Sequence, residues 1–149
     1  MALGEIRNFL HPLPGVYSSG QPLAHQFNEI AAAGVQAVIN LALADSEGAL
    51  PHEGGLVTSL GMDYFHLPVS FEAPTLERLR LFCDLMRVLE GRCLWVHCVL
   101  NWRVSAFLYL YHRRILGWNE EESSRFLLPG WQPDGVWRGF IDRALEARF

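Results

Sequence analysis

The sequence predicts one α/β domain over residues 1–149, with a mostly parallel central sheet between two layers of helices. The 149 residues, 50% of them hydrophobic, are enough for one substantial core. Short apolar runs bounded by glycine and proline alternate with segments of helical periodicity. Strands and helices that alternate in this way favour a three-layer arrangement in which both faces of the sheet are covered.

The predicted strands are short and mostly apolar. Residues 35–41 (VQAVINL) and 93–97 (CLWVH) are typical of strands that are buried on both faces. Residues 64–69 form another predicted strand, and residues 16–18 are expected to be a short edge strand.

The predicted helices lie between and after these strands. Residues 22–33 form the first, with Gly34 as its stop, and a short helix ends at Gly61. The later helices begin at or near a polar capping residue or a loop, at residues 75, 103, 119 and 134.

Charge excludes several functional classes. The net charge is −4, and all twelve basic residues are arginine. The absence of lysine excludes a P-loop lysine and Schiff-base chemistry. Without a basic tract, we expect neither nucleic acid nor an anionic membrane surface as a partner.

Targeting and metal-binding patterns are also missing from the sequence. No apolar stretch reaches the roughly 18 to 20 residues of a membrane helix, and the first residues do not resemble a signal peptide, so a cytoplasmic protein is expected. Cys83, Cys93 and Cys98 form no CxxC pair. We therefore expect neither a disulfide framework nor a zinc site.

The strongest chemical signal lies where the 93–97 strand ends. Cys98 follows this strand directly, and Arg103 comes five residues later, where a helix begins. Ligands of α/β sheets bind at this edge, where backbone N–H groups, a helix N-terminus and a guanidinium can hold a tetrahedral anion. The same field favours thiolate over thiol, which predicts a nucleophilic Cys98. The alternative is a core cysteine beside an exposed arginine.

Residues 97–105 resemble the signature of cysteine-dependent phosphatases of the protein-tyrosine and dual-specificity class. In that signature His-Cys is followed by five residues, then Arg, then Ser or Thr, on a loop between a strand and a helix. The runs at 18–22, 38–43 and 61–69 resemble the early strands of small phosphatases of this type. The resemblance implies a dual-specificity phosphatase-like fold that hydrolyses phosphomonoesters without metal or cofactor. Its partner would be a phosphorylated protein, a phosphorylated small molecule or another oxyanion.

The resemblance also assigns roles to residues of this loop. Cys98 would be the nucleophile, and Arg103 would clamp the phosphate. His97 would form hydrogen bonds behind the loop, and the Ser105 hydroxyl would stabilise the thiolate as it leaves. The expected substrate-binding residues of the same segment are Val99, Leu100, Asn101, Trp102 and Val104.

The loop departs from the signature because only four residues separate Cys98 from Arg103. If no residue is deleted, Asn101 replaces a glycine, which is plausible chemically because asparagine tolerates left-handed backbone. Arg103 then comes one place early. If the loop is one residue shorter, it has the length of a rhodanese loop, which implies sulfur transfer. The His-Cys-x-x-Asn-x-Arg-x-Ser form resembles small bacterial phosphatase-like proteins. A third alternative is a phosphate-binding protein with little or no turnover.

The proton donor is the second departure. Phosphatases of this class use an aspartate on the loop after the strand at 64–69, and residues 69–74 contain only one carboxylate, Glu72. Glu72 is our candidate acid, and an ordinary solvated glutamate is the alternative. Asp63, Glu47 and Glu53 have weaker positional support.

Overall fold

A computed structural model describes residues 2–149, whose strands form a five-stranded sheet in the order β1-β2-β5-β3-β4. The strands are β1 (Leu10–Leu13), β2 (Val16–Ser19), β3 (Ala37–Asn40), β4 (Asp63–His66) and β5 (Leu94–His97). Only β1 and β2 pair antiparallel, and every other neighbouring pair is parallel. The predicted mostly parallel sheet is thus confirmed.

In residues 2–149, six helices connect or follow the strands. They are α1 (Gln26–Ala32), α2 (Glu53–Ser59), α3 (Leu76–Val88), α4 (Trp102–Arg114), α5 (Glu120–Ser123) and α6 (Gly135–Glu146). Short 3-10 turns cover Leu3–Glu5 and Ser124–Phe126. Within residues 2–149, no helix is both long and apolar enough to cross a membrane.

Side chains from one strand alternate between two hydrophobic clusters, one on each face of the sheet. Leu94 and Val96 of β5 enter the cluster that contains side chains of α3, α4 and α6. Trp95, between them, enters the cluster that contains side chains of α1 and α2. This alternation confirms the three-layer architecture, because a strand covered by helices on both faces buries successive residues on opposite sides.

Strand β5 lies at the centre of the sheet. His97, its last residue, is level with Ser19 of β2 and Asn40 of β3, so the carboxyl ends of three parallel strands meet at one edge. All four residues of β5 are buried. The next residue, Cys98, therefore lies at the middle of that edge of the sheet.

The expected edge position of residues 16–18 is wrong, because β1 covers them. Strand β1 contains Pro12, which cannot donate a hydrogen bond to a sheet ladder and is tolerated on an edge strand. Gly15, with φ 81°, lies in the turn that joins β1 to β2. The run LHPL lacks the β-branched pattern from which a strand would be predicted.

The helix boundaries follow local capping chemistry. The Thr75 hydroxyl accepts a hydrogen bond from the Arg78 N–H at 3.2 Å, and Asn119 Oδ1 accepts one from the Glu122 N–H at 2.8 Å. Both residues cap helices as predicted. The helix predicted for residues 22–33 begins only at Gln26, whose side chain accepts a hydrogen bond from the Leu23 N–H at 2.8 Å.

Helix α4 carries a buried histidine near its C-terminal end. His112 is 3% exposed, its ring stacks on Phe126 at 3.8 Å between centroids, and its Nδ1 lies 2.7 Å from the Leu108 carbonyl oxygen. Burial lowers the pKa of His112 from 6.5 to about 4. Between pH 6.5 and about 4, the His112 ring is therefore neutral in the folded protein and protonated in the unfolded chain.

We predict that the free energy of unfolding decreases as the pH falls from 6.5 towards 4, since only the unfolded state binds this proton there. The loss from His112 should reach about 3 kcal/mol. His112→Phe, which keeps an aromatic ring against Phe126, should flatten this part of the profile in urea unfolding. The exposed His25→Gln serves as control, and an equal slope in wild type and His112→Phe would contradict the prediction.

Candidate active site

The loop of residues 98–101 joins β5 to α4 and turns the chain sharply. Asn101, the residue before the helix, has φ 68° and ψ 10°, the left-handed conformation expected for it. Helix α4 starts at the next residue, so its N-terminus lies beside the loop. The shortened spacing between Cys98 and Arg103 is therefore compatible with a tight strand-to-helix turn.

Three successive carbonyl groups of this loop have hydrogen-bond partners in His97, Gln21 and Asn8. The Cys98 oxygen lies 3.2 Å from His97 Nδ1, the Val99 oxygen accepts from the Gln21 N–H at 2.9 Å, and the Leu100 oxygen accepts from Asn8 Nδ2 at 2.9 Å. In a trans peptide the N–H points opposite to the C=O.

The N–H groups that follow these carbonyls are thus directed away from their donors. Within residues 2–149, none of the N–H groups of residues 99–103 donates to a protein acceptor. Free N–H groups in succession, next to a helix N-terminus, form a site for an anion.

A cavity of about 230 Å³ opens over this loop. Six of the predicted site residues line it: Glu72, Cys98, Val99, Leu100, Trp102 and Arg103. Four lining residues were not predicted to bind substrate: Leu43, Ser46, Glu47 and Phe71. They come from the segments after β3 and β4. The sequence could have indicated these residues, because loops that follow parallel strands meet at the same edge of the sheet.

Arg103 reaches this cavity although it comes one place early in the signature. Its side chain is 7% exposed, and Nη1 donates to the Val69 oxygen at 2.8 Å. The guanidinium carbon lies 5.9 Å from the centre of the Phe71 ring. One of its donors thereby holds the segment after β4, and the other donors of the planar fork are left for a ligand.

Behind the loop, His97 and Glu53 form a fully buried pair. His97 Nε2 lies 2.7 Å from Glu53 Oε2, and the other Glu53 oxygen accepts from Gln21 Nε2 at 2.7 Å. Burial acts to raise the pKa of Glu53, but the hydrogen bond and charge of His97, followed by the Gln21 amide, outweigh it and lower the pKa below 4.5.

This pairing removes Glu53 from the candidate acids, because its carboxyl lies behind the loop and does not line the cavity. Asp63 is removed as well. It begins β4, at the opposite end of the strand, and pairs with Arg92 at 2.7 Å. Glu72 and Glu47 are the carboxylates that line the cavity, and both side chains are exposed.

Three other predicted site residues also lie outside the cavity lining. Ser105 Oγ donates to Asn101 Oδ1 at 3.4 Å and accepts from the Leu128 N–H at 3.0 Å. Its hydrogen bonds within residues 2–149 thus stabilise the loop and do not reach Cys98. Val104 is fully buried in the core cluster on the α4 side of the sheet. Asn101 is also buried, and its side-chain amide donates to the Asn8 oxygen.

Phe71 and Trp102 contribute aromatic rings to the lining of the cavity. The indoles of Trp102 and Trp131 stack with 5.7 Å between centroids and 8° between planes, and Phe71 lies 5.8 Å from Trp102. A neighbouring groove shares Phe71, Glu72 and Trp102 with the cavity. The organic part of a ligand would therefore meet an aromatic surface.

Solved structures resemble this one over nearly the whole chain. A candidate phosphatase of the DUF442 type from Shewanella putrefaciens CN-32 is 35% identical, with a TM-score of 0.87 over 95% of this chain and 93% of that one. TpbA of P. aeruginosa, solved in complex with pTyr, is 14% identical (TM-score 0.63, 93% of this chain, 90% of that one). The core catalytic domain of the S. cerevisiae PP-IP phosphatase SIW14, in complex with citrate, is 18% identical (TM-score 0.67, 92% of this chain, 85% of that one). The last two likenesses show a shared fold. No protein-family model matches the sequence, and a comparison with curated proteins finds no match.

We predict that Cys98 is the first cysteine to react with iodoacetamide at about pH 6, because free N–H groups and Arg103 favour its thiolate. Burial raises the pKa of Cys83 to about 12 and also raises that of Cys93, so these thiols should stay unreactive. Phosphate should slow the labelling of Cys98 by occupying the same N–H groups. Peptide mass mapping, with Cys98→Ser as control, reads the result, and earlier labelling of Cys83 or Cys93 would contradict the assignment.

Proposed function

The chain belongs to the DUF442 family of cysteine-dependent, protein-tyrosine-phosphatase-like proteins, and from this membership we propose that it hydrolyses phosphomonoesters through a phosphocysteine on Cys98. The observation that carries the proposal is the cavity over residues 98–103, in which a cysteine faces free backbone N–H groups and a guanidinium. These groups match the three non-bridging oxygens of a phosphate monoester.

The reaction proceeds in two displacements. The Cys98 thiolate attacks phosphorus, and the ester P–O bond breaks with its electron pair on the departing oxygen, which takes a proton. Water then attacks the phosphocysteine, the S–P bond breaks, and the Cys98 thiolate and inorganic phosphate are released. The loop N–H groups and Arg103 stabilise the charge on the phosphoryl oxygens in both steps.

Arg103 also couples the phosphate to the segment that carries Glu72. Its Nη1 donates to the Val69 oxygen, and residues 70 to 72 follow directly. The guanidinium would therefore contact both the wall of the cavity and the bound anion. An ammonium group in its place would be a point charge without the planar fork.

Charge in the cavity supports a substrate with a single phosphate. Among the lining residues within 2–149, Arg103 is the one cation, and Glu47 and Glu72 are the carboxylates. A polyphosphorylated ligand would place further anions against these carboxylates, which costs free energy. The aromatic wall of Phe71 and Trp102 favours aryl phosphates, including phosphotyrosine.

The alternatives are less well supported. The sulfur-transfer alternative depends on the spacing of the loop, but the 35% identity covers 95% of the chain and involves a candidate phosphatase.

A reactive thiol and three free cysteines fit a reducing compartment, which supports a cytoplasmic location.

We expect the protein to release phosphate from p-nitrophenyl phosphate and Cys98→Ser to abolish this activity. Arg103→Lys should lower kcat/KM by about 100-fold or more, because the bidentate contact is lost. The exposed Arg138→Lys, on α6, is the matched control and should leave the rate unchanged. Sulfur transfer from thiosulfate to cyanide, without phosphate release, would overturn the proposal.

The role of Glu72 is tested by comparing leaving groups. p-Nitrophenol leaves without protonation, whereas an alkoxide such as that of phosphoserine requires a proton, so Glu72→Gln should slow alkyl phosphates much more than aryl phosphates.

Glu47→Gln is the competing variant, since Glu47 lines the same cavity, and the exposed Glu77→Gln on α3 is the control. A selective loss in Glu47→Gln alone would transfer the acid role to Glu47. Equal rates for Glu72→Gln and wild type on both substrate types would remove Glu72 from the mechanism.

A further inference from the structure

We propose that Asn8 is a positioning residue that orients the Leu100–Asn101 peptide of the oxyanion loop. This inference rests on the proposed function, since the loop is taken to bind the phosphoryl group. Asn8 lies in the N-terminal segment, 92 residues from its hydrogen-bond partner Leu100, and does not line the cavity.

Asn8 and the loop are joined by two reciprocal hydrogen bonds. Asn8 Nδ2 donates to the Leu100 oxygen at 2.9 Å, and Asn101 Nδ2 donates to the Asn8 oxygen at 2.9 Å. Both asparagines have left-handed backbone, with φ 50° and 68°. A second donor contact of Asn101, to Ser18 Oγ at 3.2 Å, ties the same side chain to β2.

These bonds decide which way one peptide group faces. With its oxygen held by Asn8, the Leu100–Asn101 peptide directs the Asn101 N–H to the opposite side, where the free N–H groups of the loop are. Rotation of this peptide by half a turn would exchange the N–H for a carbonyl oxygen. An oxygen there would repel a phosphoryl group instead of binding it.

Asn8 thereby completes a set with His97 and Gln21, whose N–H groups hold the oxygens of Cys98 and Val99. The Leu100–Asn101 peptide differs from the peptides held by His97 and Gln21 because it directly precedes the left-handed residue Asn101. A glycine at position 101 would have no side chain to bond Asn8. Asparagine at this position therefore supplies both the left-handed backbone and half of the reciprocal pair.

The N-terminal segment is itself fixed in place, so Asn8 can act as a support. Ile6 is 1% exposed, and Phe9 lies 5.6 Å from the Trp95 ring. The Arg7 oxygen accepts from the Gly20 N–H at 2.7 Å. Gly20 lies so close to the loop that a Cβ there would be 2.4 Å from the Val99 oxygen.

The test uses Asn8→Asp, which keeps the shape and the tolerance for positive φ but replaces the amide donor with an acceptor beside the Leu100 oxygen. Asn28→Asp is the matched control, because Asn28 donates in the same way to the His25 oxygen on an exposed surface. Asn8→Gly, which also accepts positive φ, is the second variant should Asn8→Asp fail to fold.

Two measurements separate positioning from general stability. The first is the phosphate concentration that half-protects Cys98 from iodoacetamide, which should rise about 10-fold in Asn8→Asp and stay unchanged in Asn28→Asp. The second is hydrolysis of p-nitrophenyl phosphate, where kcat should fall about 10-fold or more with a smaller change in KM. Both are measured well below the Tm of each variant.

Wild-type protection and kcat in a folded Asn8 variant would overturn the proposal, even if its Tm were lower. A wild-type protein that binds phosphate without hydrolysing esters would contradict the proposed function, but the protection experiment would still decide the role of Asn8. Absence of protection by phosphate and by vanadate in the wild type would overturn both.

Discussion

The polarity of the backbone between β5 and α4 is the constraint on which the site depends. An anion at this turn requires N–H groups on the inner side, and the trans peptide then places carbonyl oxygens on the outer side. Backbone carbonyl oxygens are strong acceptors and require donors of their own. Donors from the N-terminal segment, from the end of β2 and from β5 meet that need, at Leu100, Val99 and Cys98. The parallel order of β2, β5 and β3 brings the last two within reach.

The buried His97–Glu53 pair follows from the same requirement. A buried histidine that supports the Cys98 oxygen with one nitrogen needs a partner for the other nitrogen, and Glu53 lies 2.7 Å from it. The carboxylate is in turn held by Gln21, whose backbone N–H supports the Val99 oxygen. Gln21 thus connects two outer supports of the loop, and a change at Glu53 would affect both.

The parts of this structure that were predictable from sequence depend on local patterns. The apolar run of β5, the periodicity of α3 and the caps Thr75 and Asn119 are set by neighbouring residues, and the prediction of each was confirmed. Strand β1 was missed because Pro12 interrupts any strand pattern, and its place at the sheet edge is decided by β2. Cys98 and Arg103 were predicted as site residues from their spacing, whereas the residues that support the loop could not be predicted. Asn8 and Glu53 lie 92 and 44 residues from their partners, and nothing in the sequence links them.

The distribution of charge indicates how the site would hold a doubly negative phosphate. In the part of the chain that the structure describes, Arg103 is the one cation that lines the cavity, and the exposed carboxyl groups of Glu47 and Glu72 line it too. A guanidinium beside two carboxyl groups supplies little net attraction for an anion. Attraction must therefore come largely from the fixed dipoles of the loop N–H groups and the start of α4, which act at hydrogen-bond distance and need no reorganisation when the anion arrives. Dipoles are effective only when they are held in one orientation. The selectivity of such a site for a tetrahedral anion over other anions thus depends on the hydrogen bonds behind the loop as much as on the groups that line it.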